Sequence, residues 1–144
     1  MATHSEQRSL PHSSEQLFGL VADVEKYPEF LPWCVGARIR SQESDLLVAD
    51  LMIGFNGLNE KFTTQVKLDR VAMKIDVIYQ DGPFKYLNNR WLFMSKNAGA
   101  CDLDFFIDFE FKSRFLQALM GPLFGEAVRR MVGAFESRAL HLYG

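Results

Sequence analysis

Apolar and polar residues alternate with a period of two through most of the middle of the chain. Phe62, Thr64, Val66 and Leu68 fall on one side of such a pattern, and Lys61, Thr63, Gln65 and Lys67 on the other. Met73, Ile75, Val77 and Tyr79 repeat it against Lys74, Asp76 and Gln80. The longest run sets Cys101, Leu103, Phe105, Ile107, Phe109 and Phe111 against Asp102, Asp104, Asp108 and Glu110; only Phe106 breaks its polar row. Successive strand side chains point to opposite faces, so these runs predict strands with one wet face, as in an antiparallel sheet. Further strands near 35–42, 46–54 and 86–95, and a weak one over Ser5 to Leu10, bring the set to about seven. Asp81-Gly82-Pro83 and Asn97-Ala98-Gly99 read as tight turns between them.

The period changes at both ends. Ser13 or Ser14, followed by Glu15 and Gln16, signals a helix start, and Leu17, Phe18, Leu20, Val21 and Val24 give that helix an apolar face. Pro28 and Pro32 stop it and leave a short aromatic turn or helical piece from Tyr27 to Cys34. Near the C-terminus, Phe115, Leu119, Phe124, Val128, Met131, Val132, Phe135 and Leu142 recur at three- and four-residue steps. A helix from Ser113 to about Leu142 would run roughly 45 Å, with Gly121-Pro122 kinking or dividing it. A sheet with one wet face must cover the other, and the terminal helix is the one element large enough to do so. The pattern therefore predicts one α+β domain over residues 1–144, with a curved sheet around a long helix.

Composition sharpens this picture at one point. Thirteen Phe stand against four Tyr and two Trp, more aromatic surface than a small two-layer core needs, so an apolar cavity between sheet and helix is expected. A formal charge of −2 gives no electrostatic reason to seek nucleic acid, and no DNA partner is expected. Cys34 and Cys101 are far apart with no CxxC, which predicts free thiols in a reducing compartment. The polar N-terminus has no apolar targeting core, and no apolar run is long enough to span a bilayer; a cytoplasmic location is expected, with peripheral contact at a membrane's inner face left open.

Three strings carry a family resemblance. Val24-Glu25-Lys26-Tyr27-Pro28-Glu29-Phe30-Leu31-Pro32-Trp33-Cys34 is the specific one. Asp81-Gly82-Pro83-Phe84 with Leu87, Trp91 and Phe93 supports it, as do Phe109-Glu110-Phe111, Met131 to Phe135 and Leu140-His141-Leu142-Tyr143-Gly144. Together they resemble the coenzyme Q-binding START-domain family, which includes mitochondrial ubiquinone-binding proteins and a bacterial branch named for ribosome association toxins. The resemblance implies the helix-grip (START-like) fold, binding of ubiquinone or a related polyprenyl lipid, and support of respiratory electron transport without a chemical step. For the bacterial branch it also implies a role in blocking association of ribosomal subunits.

The site expected on this basis is a greasy cavity lined by Phe30, Leu31, Trp33, Phe55, Leu58, Phe84, Leu87, Trp91, Phe105, Phe124 and Val128. Its doorway is expected near Trp33, where aromatic and polar groups would orient a headgroup. Each assignment has a plainer alternative: the Tyr27-to-Cys34 aromatics also plug a sheet end, and Phe55 and Leu58 also fit a simple turn. Phe115, Leu116, Leu119 and Met120 lie in a segment apolar almost all round, which is either gripped on every side or partly exposed as a membrane or partner contact flanked by Lys112 and Arg114. Catalysis and metal binding have little support. His4, His12 and His141 show no ligand spacing, and the β-alternation puts Asp102, Asp104, Asp108 and Glu110 on a solvated face. No cofactor is expected beyond the bound lipid. The rivals are a translation regulator on the large ribosomal subunit, with Arg129-Arg130 as an RNA contact, and a cyclase-type enzyme.

Overall fold

A computed structural model of the chain describes residues 2–55 and 58–144, without the side chains of Ala2, Phe55 and Leu58. Seven strands form one antiparallel sheet: β1 (Ala2–Leu10), β2 (Cys34–Glu43), β3 (Leu46–Phe55), β4 (Leu58–Asp69), β5 (Lys74–Asp81), β6 (Phe84–Asn97) and β7 (Ala100–Phe111). Their order across the sheet is β1-β7-β6-β5-β4-β3-β2. The predicted alternation is realised in β7, where Cys101, Leu103, Phe105 and Phe109 are buried. On its outer face Asp102 accepts a hydrogen bond from Ser9 Oγ at 2.6 Å, and Glu110 pairs with Lys85 Nζ at 2.8 Å.

β1 begins at Ala2, ahead of the expected Ser5, and pairs with β7 over its whole length. Its inward row is polar, which hides the strand from a hydrophobicity pattern. His4 Nε2 meets Glu6 Oε1 at 3.0 Å, Arg8 pairs with Glu6, and Arg8 Nη1 donates to Glu136 Oε1 at 3.0 Å.

Helix α1 (Ser14–Ala22) starts where expected. Ser13 Oγ accepts from the Gln16 N–H while the Gln16 side chain accepts from the Ser13 N–H, a reciprocal cap. A 3₁₀ turn, Val24–Glu29, follows and contains Pro28. At the other end Gly121-Pro122 divides the helix: α2 (Arg114–Met120), capped by Ser113, gives way to a 3₁₀ turn, Gly121–Leu123, and then α3 (Phe124–Tyr143).

α3 buries Val128, Val132, Phe135 and Ala139, a stripe at three- and four-residue steps. That stripe joins Phe18 and Val21 of α1 and Trp91, Phe93, Leu103 and Phe105 of the sheet in the main core. A second aromatic cluster of Phe84, Leu87 and Phe109, with Phe124 against it, sits toward the start of α3. The β5–β6 turn closes tightly on β4. Gly82 has φ +142°, and a Cβ there would lie 2.6 Å from Phe62 Cβ, so only glycine fits. This is the curved sheet around a long helix expected from the pattern, and the helix-grip fold that the resemblance implies.

Candidate apolar ligand site

The proline-flanked turn supplies one side of the site. Tyr27 Oη donates to the Val21 carbonyl, and burial pushes the phenol well above its ordinary range. Tyr27 and Phe30 both pack edge-on against Phe135, at 5.3 and 5.2 Å between ring centroids. Phe30 is thereby held behind the site, with the Arg138 guanidinium over its ring at 5.2 Å. Trp33 has φ 65°, a left-handed conformation rare outside glycine and costing on the order of 1–3 kcal/mol. Its carbonyl is held by the Gly54 N–H at 2.8 Å, which fixes the side chain at the junction described next.

Between the sheet and α3 lies a cavity of about 260 Å³. A single water needs roughly 10–15 Å³ on this measure, so the interior is far from filled. Leu31 and Trp33 wall it from the turn, and Phe84, Leu87 and Trp91 from the sheet. Phe124 and Val128 close it from α3. These seven positions were expected from the sequence.

Two others stand apart from the wall. Phe30 lies behind Tyr27 and Phe135, as described, and Phe105 is fully buried in the core, its ring 4.7 Å from that of Trp91. Being on the inward face of a strand is not enough to reach the cavity; Phe105 is packed wholly within the main core. The side chains of Phe55 and Leu58 lie outside the described part of the structure. The wall also includes Thr64 and Asn89, which the sequence pattern does not mark as site residues. Thr64 belongs to an alternating row otherwise made of Phe62, Val66 and Leu68, and that place in the row was the available signal.

A second hollow of about 220 Å³ adjoins the first and shares Trp33, Ile53, Met120 and Ala127 with it. Its remaining wall, Leu123, Glu126 and Arg130, is exposed. Arg130 Nε and Arg129 Nη2 each lie 3.4 Å from a Glu126 carboxylate oxygen, so the arginine pair is engaged within its own helix. Near this opening α2 presents Phe115, 68 % exposed, together with Leu119, while Met120 turns to the cavity. Leu116 departs from the exposed-segment alternative: it is buried under α2.

Titratable groups on the main cavity wall are held neutral. Burial raises the Cys34 thiol, as it does the Tyr27 phenol. Cys101, in the core, is pushed up to about 11 by burial and by Asp102 and Glu15 nearby. Among the described residues no cluster of His, Cys, Asp or Glu could hold a metal ion, and no helix is long and apolar enough to cross a membrane.

Residues 10–136 match the family described as polyketide cyclase/dehydrase and lipid transport. The chain belongs to that family. It is 38% identical over 142 residues to the ribosome association toxin RatA of Rickettsia prowazekii, covering 96% of this chain and 97% of the relative. It is 33% identical over 144 residues to the mitochondrial coenzyme Q-binding protein COQ10 homolog B of Xenopus laevis, covering 98% of this chain and 59% of that protein. A START superfamily protein from Mycobacterium smegmatis superposes with a TM-score of 0.84 at 23% identity, over 97% of this chain and 98% of that one.

Proposed function

We propose that the chain binds ubiquinone, or a related polyprenyl lipid, in the cavity and carries or presents it to respiratory membranes, with no chemical step of its own. The observation behind this reading is the open 260 Å³ space walled by apolar side chains. Burying an isoprenoid there gains about 0.8 kcal/mol per CH₂. The flat faces of Trp33, Phe84 and Trp91 suit a ring. The name of the Xenopus relative, a coenzyme Q-binding protein, points the same way. A domain of this length has a radius of gyration of roughly 15 Å, so a long tail must fold back or leave through the second hollow. Collection of so insoluble a ligand falls to α2, where Phe115 and Leu119 face outward beside the opening. Lys112 and Arg114 at its start each add on the order of 1 kcal/mol at an anionic surface.

The test is native purification from quinone-rich cells, lipid extraction and mass spectrometry. A prenylated quinone recovered with the native chain, and lost from the Ala127→Phe variant that narrows the junction between the hollows, is the expected result. Recovery of none from either chain contradicts the reading. A second reading is favoured by the name of the Rickettsia relative: association with ribosomal subunits. Sedimentation profiles decide it. Loss of 70S particles with accumulating free subunits on overproduction supports it, and unchanged profiles count against it.

A further inference from the structure

Most polar groups on the wall of the larger cavity are already engaged. Tyr27 Oη donates to the Val21 carbonyl, and Cys34 Sγ lies 3.5 Å from the Gly36 carbonyl. Trp91 Nε1 donates to Asn89 Oδ1 at 2.8 Å. An indole N–H can only donate, so this contact fixes which way the Asn89 carboxamide is turned. Its Nδ2 then donates one proton to the Phe106 carbonyl at 2.9 Å, and one Nδ2 proton is left over.

Thr64 is different. It is 1 % exposed, lines the cavity, and its hydroxyl has no hydrogen-bond partner among the described residues. Thr64 Oγ1 is not among the sealed polar atoms that lack a partner, so its hydroxyl opens onto the hollow and is available to a ligand oxygen. Thr64 on β4 and Asn89 on β6 lie on either side of β5, Val77 being in register with Asn89 and Tyr79 with Thr64. Two strand spacings across and a two-residue stagger along the sheet separate their backbones by about 12 Å, and both side chains line the hollow, so a head carrying oxygens on opposite edges reaches toward both. Among the described residues no charged side chain stands on this wall, whereas Glu126 and Arg130 line the outer hollow. An ionised head at the inner end would be desolvated without compensation.

We infer that Thr64 selects the buried end of the ligand. The cavity takes a neutral amphiphile head first, with a carbonyl or hydroxyl oxygen on Thr64 Oγ1 and Asn89 Nδ2. The hydrocarbon part leads out past Trp33 and Ala127 toward Leu123. This rests on the lipid-binding reading above, and it moves the head from the aromatic doorway to the cavity's inner wall.

The test uses two probes of equal chain length on the lipid-stripped full chain, a short-chain ubiquinone and the matching prenylbenzene that lacks ring oxygens. Thr64→Val keeps the side chain's shape and removes its hydroxyl; Thr64→Ser restores a hydroxyl. Calorimetric titration is expected to show Thr64→Val weakening the quinone by roughly 3- to 30-fold, with the prenylbenzene unaffected and Thr64→Ser close to the native chain. Equal quinone affinity in the native chain and Thr64→Val overturns the inference, and so does a parallel loss of both probes. A native chain that binds neither probe overturns the lipid-binding reading itself, and this inference with it.

Discussion

Asp50 sits on the outer face of β3 yet is only 1 % exposed. Thr63 Oγ1 donates to its Oδ1 at 2.6 Å and Arg38 Nη2 to its Oδ2 at 2.9 Å. Burial alone would raise its pKa, but these two bonds, with Arg40 and Lys61 nearby, outweigh it and hold the carboxyl below its ordinary value. A depressed folded-state pKa stabilises the fold above the unfolded value of about 3.9, and that stability is lost as pH falls through the folded value. Asp50→Asn is therefore expected to lose about 1–3 kcal/mol at pH 7 and to close the gap with the native chain in more acid solution. Urea unfolding at pH 7 and pH 3 checks this; an equal gap at both would contradict it. The thiols give a second residue-scale test. Cys34 borders the cavity and Cys101 is sealed in the core with its thiol held at about 11. In native protein an alkylating reagent at pH 8 is expected to reach Cys34 slowly, more slowly still with ligand bound, and Cys101 only after unfolding. Peptide mapping by mass spectrometry reads both; Cys101 labelling first would contradict the assignment.

At the scale of elements, α2 has two faces with opposite consequences. Leu116 is buried, whereas Phe115 is 68 % exposed. Leu116→Arg is expected to cost about 3 kcal/mol or more by burying an unpaired charge, and Phe115→Arg to stay within about 0.5 kcal/mol. Thermal melts of both variants decide it, and similar losses would mean that α2 is packed on both faces. The elements whose burial follows the backbone period were legible in the sequence. β4, β5 and β7 carry one apolar row each, and Ser13 with Gln16 announces α1. β1 was legible only in part, because its inward row is His4, Glu6 and Arg8 and its burial rests on ion pairs with Glu136 rather than on apolar surface. The division of the terminal helix followed from Gly121-Pro122, since proline removes one helix hydrogen bond and clashes with the preceding turn.

The whole molecule is a sheet gripping a helix that does not fill the space between them. Aromatic abundance pointed to that space, but periodicity states only which face a residue takes. Whether an inward ring meets the hollow or the core depends on what packs over it, which the period does not state: Trp91 lines the hollow and Phe105 is sealed in the core. Thr64 and Asn89 were hidden for the complementary reason: one polar residue in an apolar row reads as a minor break. Phe135 links the two regimes, touching Tyr27, Phe30 and Trp91 edge-on while also lining the cavity. The two tryptophans of the chain, Trp33 and Trp91, both border the cavity, so their fluorescence reports its occupancy. The most direct measurement is titration of lipid-stripped protein with a short-chain ubiquinone while this fluorescence is followed. Saturable one-to-one quenching in the native chain, abolished in Ala127→Phe, is the predicted result. Quenching that rises linearly without saturation, and equally in both chains, would contradict the account.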